Sequence, residues 1–179
     1  EALAENKHLS SLTSLNLMDN AIVNKGAIIL AESEVFCGLK KINIENCGIM
    51  PAGILALAKS ASLKNLEEII LNKNDIKDKG LQHLAASQNF AKLKSLKAGD
   101  VSVGDLAVKN LVLSQNLKNL EELRLNGNSI TGKGLDYLHD TLNLKALKKI
   151  DLRRNRFLYE DCIFLSDSPR FKNLEVVQF

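Results

Sequence analysis

The sequence predicts an α/β solenoid, a single stack of coils that each contain one short strand and one helix. A unit of the form L-x-x-L-x-L-x-x-N-x-I recurs along the chain, and each unit then changes from an alternating pattern to a helical one. A fixed period of about 20 to 50 residues is typical of solenoids, because one unit buries its apolar face only against its neighbours. The fourth residue of the unit is aliphatic in every copy and returns every 27 residues, at Leu15, Ile42, Ile69, Leu96, Leu123, Ile150 and Val177.

The repeat makes the whole chain, residues 1–179, one domain. Leu3 and Leu9 lie 27 positions before Leu30 and Phe36, so residues 1–11 match the second half of a unit. Because both ends fall inside a unit, we expect the chain to be a fragment of a longer protein. Six full units and the start of a seventh follow the partial one, at 12–38, 39–65, 66–92, 93–119, 120–146, 147–173 and 174–179.

The first half of each unit reads as a strand. Its apolar residues alternate with polar ones, as at Leu15 and Leu17, and such residues point to opposite faces of a strand. A strand occupies about 4.8 Å of the stack and a helix about 10 Å, so the stack must bend with its strands inside. We therefore expect a right-handed, curved horseshoe of about six repeats, with a parallel β-sheet on the concave face and helices on the convex face.

The second half of each unit reads as a helix, because apolar residues recur there at helical spacing. The strictest position is leucine in every full unit: Leu30, Leu57, Leu84, Leu111, Leu138 and Leu165. Pro51 suits the first turn of a helix, and Asp78 and Thr131 are predicted N-caps. A hydroxyl residue that can bond to backbone groups recurs where each helix should end, at Ser33, Ser60, Ser87, Ser114, Thr141 and Ser168.

Asparagine follows the strand in four units, at Asn20, Asn74, Asn128 and Asn155. A buried amide at this turn would bond to backbone groups of its own coil and of the adjacent coil. Cys47 stands at this position in the second unit and is a weaker substitute, whereas Val101 in the fourth unit offers no polar atom. The fourth unit is therefore the irregular one.

Composition disfavours several classes of protein. The net charge is only +3, and the basic and acidic residues occur in every repeat. A nucleic-acid-binding protein typically has a dense basic patch on one side. No apolar run approaches the roughly 20 residues of a membrane helix, so we expect no membrane partner. Cys37, Cys47 and Cys162 lack the spacing of metal ligands. Free thiols are typical of a reducing compartment, so we expect the protein in a cytoplasm or delivered into a host cytosol.

Catalytic patterns are missing from the sequence. His8, His83 and His139 fall at three different positions of the unit, and no Ser-His-acid arrangement or glycine-rich phosphate loop emerges. We therefore expect no enzymatic activity, no cofactor and no metal.

The motif L-x-x-L-x-L-x-x-[N/C]-x-I followed by G-[ILA]-x-x-L-A resembles the ribonuclease-inhibitor-like class of leucine-rich repeats. The 27-residue unit and the recurring A-x-S at 31–33, 58–60 and 85–87 are more similar to bacterial members than to vertebrate ones. The resemblance implies a curved α/β solenoid that binds macromolecules through its concave strands and adjoining loops, without an active site. The chain has three cysteines and no tryptophan, unlike the ribonuclease inhibitor itself, so ribonuclease binding is not carried over.

Residues between the inward leucines of each strand should point to the concave surface. They are polar and differ from unit to unit, as a recognition surface requires. Ile70 either anchors a partner or packs under an adjacent long side chain. The arginines near residue 153 either grip an acidic protein or phosphate, or pair with a following repeat. The candidate partner-binding residues are Asn43, Glu45, Ile70, Asn72, Lys97, Arg124, Asn126, Asp151, Arg153 and Arg154.

One position alternates in sign along the chain: Lys40, Glu67, Lys94, Glu121, Lys148 and Glu175. Equivalent residues on neighbouring strands lie about 5 Å apart, so each charge would sit between two opposite charges. This pattern favours pairing within the protein over ligand binding.

The function that these patterns predict is a non-catalytic, monomeric protein–protein interaction module that binds through its concave β-face. The alternative is a recognition or targeting domain of a larger protein, such as a bacterial effector whose enzymatic domain lies outside this chain.

Overall fold

A single parallel sheet runs the length of the computed structural model, which describes residues 2–140, 143–166 and 174–179. Within these residues seven strands pair in chain order. Ser14 pairs with Lys41, which lies 27 positions later, and the same offset holds between all neighbouring strands. The strands are β1 Ser14–Asn16, β2 Lys41–Asn43, β3 Glu68–Ile70, β4 Ser95–Lys97, β5 Glu122–Arg124, β6 Lys149–Asp151 and β7 Val176–Gln178.

One helix follows each of the first six strands and packs against the helices of the neighbouring coils. Because helices need more stacking distance than strands, the stack bends with the sheet on its inner side. The predicted fold class, a curved α/β solenoid, is confirmed. The helices are α1 Ala2–Glu5, α2 Val23–Glu32, α3 Pro51–Lys59, α4 Lys77–Ala86, α5 Asp105–Val112, α6 Gly132–Asp140 and α7 Tyr159–Ser166. We number the coils one to six, from residues 12–38 to residues 147–173.

The core lies between the sheet and the helices and continues from coil to coil. The predicted leucine wall is buried at each position that the structure describes, from Leu30 to Leu138, while the Leu165 side chain lies outside the described residues. Phe36 and Phe90 fill the return loops and are almost completely buried. Burial of one such side chain contributes about 1.5 to 3 kcal/mol, so each coil gains most of its stability from its neighbours.

Buried asparagines join consecutive coils, as the sequence predicts. The Asn74 Nδ2 donates to the carbonyl of Leu71 in its own coil at 2.7 Å and to that of Ile44 in the preceding coil at 2.8 Å. Its Oδ1 accepts from the backbone N–H groups of Cys47 and Ile49 at 3.1 and 2.9 Å. One amide therefore satisfies backbone groups of two coils.

The same bonds recur at Asn128 and, to a lesser extent, at Asn155. Asn20 lies at the start of the stack and bonds only to carbonyls of its own coil. The Cys47 thiol replaces the amide in coil two and donates to the carbonyl of Leu17 at 3.0 Å. A thiol is a weak donor, so this joint is the weaker one.

Val101 interrupts this series, because its side chain is fully buried and carries no polar atom. The turn around it nevertheless keeps the conformation of the others: Asp100 has a positive φ of 55°, close to 51° at Asn46 and 56° at Lys73. Coil four is therefore irregular in its side chains and not in the backbone of this turn.

The loop between strand and helix alternates between two conformations in coils one to four. Coils one and three place a left-handed residue at Val23 and Lys77, with φ of 47° and 55°. Coils two and four place it two positions earlier, at Gly48 and Ser102, with φ of 68° and 62°. In these four coils the loops therefore repeat every two coils, whereas coils five and six have a left-handed residue at neither position.

Helix starts are capped from the preceding coil. The Asp78 carboxylate accepts from the backbone N–H of Gly104, at the start of α5, at 2.7 Å. The Asn24 side chain accepts in the same way from Met50 and Gly53, at the start of α3. The prediction that Asp78 caps its own helix is wrong, because α4 begins one residue earlier and Asp78 points to the next coil.

The other two predicted helix starts are confirmed. Pro51 is the first residue of α3. The Thr131 hydroxyl, directly before α6, accepts from the N–H of Lys133 at 3.3 Å. The Asp105 carboxylate of the preceding coil also accepts from both the N–H and the hydroxyl of Thr131, at 2.8 Å each.

The recurrent serines bond both within their turn and between coils. The Ser60 Oγ accepts from the N–H of Ser62 at 3.2 Å, which is the expected local bond. It also donates to the carbonyl of Ala31 in the preceding coil at 2.6 Å. Thr141 and Ser168 lie outside the described residues. The bond to the preceding coil recurs at Ser33, Ser87 and Ser114.

We expect Val101→Asn to raise the free energy of unfolding by about 1 kcal/mol. The new Oδ1 would accept from the N–H groups of Asn74 and Ile76, and the new Nδ2 would share the carbonyl of Ala98 with Asn128. Such sharing already occurs at the carbonyl of Leu125. Chemical denaturation measures the change.

The reciprocal variant Asn74→Val is the control, and it should lower the free energy of unfolding by about 1 to 3 kcal/mol, since it leaves buried groups unpaired. If Val101→Asn left the stability unchanged or lowered it, coil four would not accept the amide ladder.

Candidate protein-binding surface

The face of the sheet that points away from the helices carries three side chains from each coil. They belong to the first and third residues of the strand and to the second residue after the strand. In β2, Lys41 and Asn43 are partly exposed and flank the buried Ile42. Equivalent residues of neighbouring strands pair in register, so these side chains form three columns along the stack. We call these columns the concave face.

Ion pairs connect strands across the concave face. The Glu68 carboxylate lies between Lys41 and Lys97, with N–O distances of 2.9 and 2.7 Å. Burial acts to raise the pKa of Glu68, but the hydrogen bonds from Lys97 and Lys41 outweigh it and lower the pKa. This carboxylate therefore stays ionised and holds both lysines in place.

Glu122 has the same role on β5. Its carboxylate accepts from the Ser95 hydroxyl at 2.7 Å and from Arg124 Nη2 at 2.6 Å, and Lys97 approaches it at 3.9 Å. Burial opposes ionisation here too, yet the bonds from Ser95 and Arg124 hold the pKa of Glu122 below its usual value. The Glu122 carboxylate, which is less exposed than Arg124, therefore holds the Arg124 side chain in place.

Asp151 is buried, so its side chain is not positioned to contact a partner directly. Arg153 Nε and Nη2 donate to the two carboxylate oxygens of Asp151 at 3.0 and 2.8 Å. Burial acts to raise the pKa of Asp151, and the bonds from Arg153 outweigh it and lower the pKa. The sequence predicts Asp151 as a contact residue, whereas in the structure its carboxylate orients Arg153.

Arg154 reaches across a whole coil. Its Nη2 lies 2.9 Å from Asp100 Oδ2, although the two residues belong to coils six and four. The turn of coil five passes beneath this pair at Gly127, where φ is +67° and any side chain would collide with the Asp100 carboxylate. Glycine at this position is what permits the bridge.

Glu45 and Asn72 form a third connection. The Glu45 carboxylate accepts from Lys73 Nζ at 2.8 Å and from Asn72 Nδ2 at 2.9 Å, and these bonds lower the pKa of Glu45. The Asn72 Oδ1 in turn accepts from the N–H of Gly99 at 2.9 Å. Both predicted contact residues are therefore engaged with the protein's own groups.

Ile70 is the strongly apolar residue at the centre of this face, and it is partly exposed. Its register neighbours are Asn43 and Lys97. The Asn43 Oδ1 accepts from the N–H of Glu45, but among the described residues its Nδ2 has no partner. The Asn126 amide lies across Gly99 and has no partner within the same residues. Ile70, Asn43 and Asn126 are therefore free to contact another molecule.

The alternating charges form a column at the other end of the strands, and the prediction that they pair with one another is confirmed. Glu67 lies between Lys40 and Lys94, with N–O distances of 3.7 and 2.7 Å. Glu121 pairs with Lys148 at 2.8 Å. Hydrogen bonding to Lys94 lowers the pKa of Glu67, and bonding to Glu67 raises the pKa of Lys94. These charges serve the protein's own structure.

The arginines of the predicted cluster form ion pairs with carboxylates of the described coils. Arg153 pairs with Asp151 of its own coil, and Arg154 pairs with Asp100 of coil four. Lys148 pairs with coil five and is also attracted to Glu175. Sequence reasoning missed Asp100, because a bond that spans two coils leaves no signal at the spacing of one repeat.

Among residues 2–140, 143–166 and 174–179, no group of three or more His, Cys, Asp and Glu side chains is arranged to hold a metal ion. Cys37, Cys47 and Cys162 are free thiols. No helix in the described ranges has the length and apolar character needed to span a membrane.

Comparison with protein families agrees with this architecture. Three segments match the model of the family described as Leucine Rich repeat: residues 8–31, 62–85 and 116–138. In these three segments the chain matches leucine-rich repeats. The matched segments begin 54 positions apart and contain the strands of coils one, three and five. No curated protein matches this chain.

A solved structure has the same fold. The chain is similar to an internalin from Listeria monocytogenes, with 20% sequence identity and a TM-score of 0.55. The alignment covers 97% of this chain and 49% of the internalin chain, so the leucine-rich repeats described here span about half the length of that protein. At this identity the similarity concerns the fold alone.

We expect Lys94→Glu to lower the melting temperature at low salt, because it places three carboxylates in a row with Glu67 and Glu121. In about 1 M NaCl, where the screening length falls to about 3 Å, the difference from the wild type should shrink. The control is Lys79→Glu on α4, which changes the net charge equally. In the described part of the chain Lys79 bonds to Gln82 and lies outside the charge column. An equal melting temperature for both variants at low salt would show that the charge column adds nothing to stability.

We expect the stability of the protein to fall in acid through the carboxylates of the concave face. The pKa values of Glu68, Glu122 and Asp151 are lowered in the folded state, so their contribution is complete above their unfolded pKa values of about 4. It is lost as the pH falls through the folded values below that. Thermal unfolding between pH 8 and pH 3 measures this effect.

The double variant Glu68→Gln/Glu122→Gln isolates this contribution. It should be less stable than the wild type at pH 7. The difference in stability should narrow as the pH falls below about 4 and should be lost below the lowered pKa values of the folded carboxylates, where the wild-type groups are protonated as well. A difference in stability that stays constant over the whole pH range would mean that the ion pairs of Glu68 and Glu122 do not stabilise the fold.

Proposed function

We propose that this chain is a non-catalytic interaction module that binds a protein partner through its concave face. The observation that carries the proposal is a constant leucine scaffold that presents variable, pre-oriented polar groups. The inward positions are aliphatic in coil after coil, whereas the outward residues of neighbouring strands change, as from Asn43 to Ile70 to Lys97. The inward residues can therefore stabilise the fold while the outward residues determine which partner binds.

Pre-orientation makes the face suitable for tight binding. Each of Lys97, Arg124 and Arg153 is held by a carboxylate of the protein before any partner arrives. Immobilising a long side chain on binding costs about 0.5 to 1.5 kcal/mol, and ion pairs already formed reduce that cost. Ile70 lies beside these groups and supplies an apolar contact at the centre of the face.

The sheet also has the dimensions of a protein interface. Seven strands at about 4.8 Å extend over roughly 30 Å, which is the scale of a protein contact and larger than a small-molecule site. The described concave residues combine lysine, arginine, carboxylate and amide groups without a histidine or cysteine nucleophile among them. This chemistry supports binding and does not support catalysis.

We further propose that the repeats belong to the ribonuclease-inhibitor-like class, with a unit of 27 residues. Support comes from the α-helices of 8 to 10 residues that follow the strands of coils one to six. The free thiols suit a reducing compartment, such as the cytosol of the source cell or of a host. We propose that the module acts as a monomer, either alone or as the recognition domain of a larger protein such as a bacterial effector.

A pull-down experiment tests the proposed function. The triple variant Ile70→Ala/Arg124→Ala/Arg153→Ala should lose proteins that the wild-type chain captures from a lysate. The matched control Ile28→Ala/Lys59→Ala/Lys79→Ala removes one isoleucine and two cations from the convex helices and should retain them. Because Arg153→Ala leaves Asp151 without its partner, thermal unfolding must show that the variant is folded.

The single variant Ile70→Arg provides a second test, since it adds bulk to the concave face and breaks none of its ion pairs. It should also lose the captured proteins. If both concave variants and the convex control captured the same proteins as the wild type, the binding surface would lie elsewhere.

A further inference from the structure

We infer that the partner of this chain presents an acidic, extended segment that crosses coils three to six of the concave face, with an apolar residue seated on Ile70. This inference rests on the proposed function and names the chemistry of its partner. It stands on the distribution of charge over the face, on the exposure of each charge, and on the spacing of the strands.

Charge is unevenly distributed along the concave face and the adjoining turn. In coils one to three, two cations accompany three carboxylates: Lys41, Lys73, Asp19, Glu45 and Glu68. In coils four to six, five cations accompany three carboxylates: Lys97, Arg124, Lys149, Arg153, Arg154, Asp100, Glu122 and Asp151. The second half of the face is therefore positive, and its cations include three guanidinium groups.

In this positive half the arginine side chains are more exposed than the carboxylates that hold them. The Arg153 side chain is 53% exposed and that of Asp151 is 6% exposed. The corresponding values are 47% and 20% for Arg124 and Glu122. An approaching molecule therefore meets guanidinium groups first, while the carboxylates lie beneath and fix their orientation.

Each guanidinium keeps unused donors. Arg124 and Arg153 bond through Nε and Nη2, and Arg154 bonds through Nη2 alone. Their Nη1 groups have no partner among the described residues, and neither has the Lys149 ammonium. The planar N–H pattern of arginine matches a carboxylate, so aspartate and glutamate side chains fit these free donors.

The spacing of the strands sets the spacing in the partner. Arg124 lies on β5, two strands from Ile70 on β3, and Arg153 follows β6, three strands away. At about 4.8 Å per strand these separations are roughly 10 and 15 Å. An extended peptide rises about 3.3 Å per residue, so its acidic residues should lie about three to five positions from its apolar residue.

A peptide suits this face better than a nucleic acid does. In coils four to six the five cations exceed the three carboxylates by only two charges, which is a small excess for a continuous row of phosphates. No aromatic residue occupies the strand positions that would stack on bases. Sparse carboxylates with an apolar side chain between them match the pattern of the surface.

Selection from a display library of 12-residue peptides tests the inference. On the wild-type chain, the library should enrich peptides that carry aspartate or glutamate about three to five positions from an aliphatic or aromatic residue. A selected peptide, made synthetically and labelled, then serves as the probe for fluorescence polarisation at two salt concentrations.

Two matched variants remove the same charge from different places. The variant Arg124→Gln/Lys149→Gln/Arg154→Gln should raise the dissociation constant of the selected peptide by about tenfold or more, which corresponds to roughly 1.4 kcal/mol of binding free energy. Arg153 is spared in this variant because its loss would leave Asp151 unpaired. Lys40→Gln/Lys94→Gln/Lys148→Gln, in the column of alternating charges, should leave the affinity within about twofold.

The possible outcomes separate this inference from the proposed function. The library could instead enrich neutral or basic peptides whose binding is abolished by Ile70→Arg. That result would overturn the inference of an acidic segment and would still support binding at the concave face. Equal binding to the wild type, Ile70→Arg and both triple variants would overturn the proposed function as well. The acidic segment is also wrong if the library yields no enrichment at low salt, or if a 12-nucleotide single-stranded DNA binds more tightly than the selected peptide.

Discussion

A backbone group buried between two coils must find its partner in one of those coils, because water does not reach it. The chain meets this constraint with short polar side chains that reach from one coil to the next. Asn74, Ser60 and Asp78 each bond to a backbone group about one repeat away, at the strand turn, the helix end and the helix start. These three kinds of hydrogen bond, together with the buried leucines, connect each coil mainly to the two adjacent coils.

The binding surface inherits its order from this arrangement. Because the strands are in register, equivalent side chains of neighbouring coils lie within reach of one another, and opposite charges pair across the sheet. Glu68 and Glu122 therefore act as fixed points between lysine and arginine side chains. Lys97 is held by carboxylates of neighbouring strands, whereas Arg124 and Arg153 are held by a carboxylate of their own coil. The recognition surface is therefore ordered by ion pairs of the sheet itself.

The sequence was informative wherever a contact repeats at the period of the units. The asparagine ladder and the pairing of Glu67 with its lysines follow from equivalent positions on adjacent coils, and both were predicted correctly. The prediction failed at Asp78, because the helix begins two residues earlier than an N-cap at Asp78 requires and the Asp78 carboxylate bonds to another coil. It also failed at the bond between Arg154 and Asp100, which depends on a glycine in the coil between them. Such contacts depend on three-dimensional placement and not on a recurring pattern.

The two loop conformations have a consequence for how a protein of this kind can change in length. Removal of coil three would bring together the loops of coils two and four, which have the same form, and would set Lys40 beside Lys94. Removal of coils three and four together would instead set Lys40 beside Glu121 and keep the alternation of charge. Gene duplication and deletion should therefore preserve the fold most readily in steps of two repeats, which makes the pair of coils the heritable unit of this solenoid.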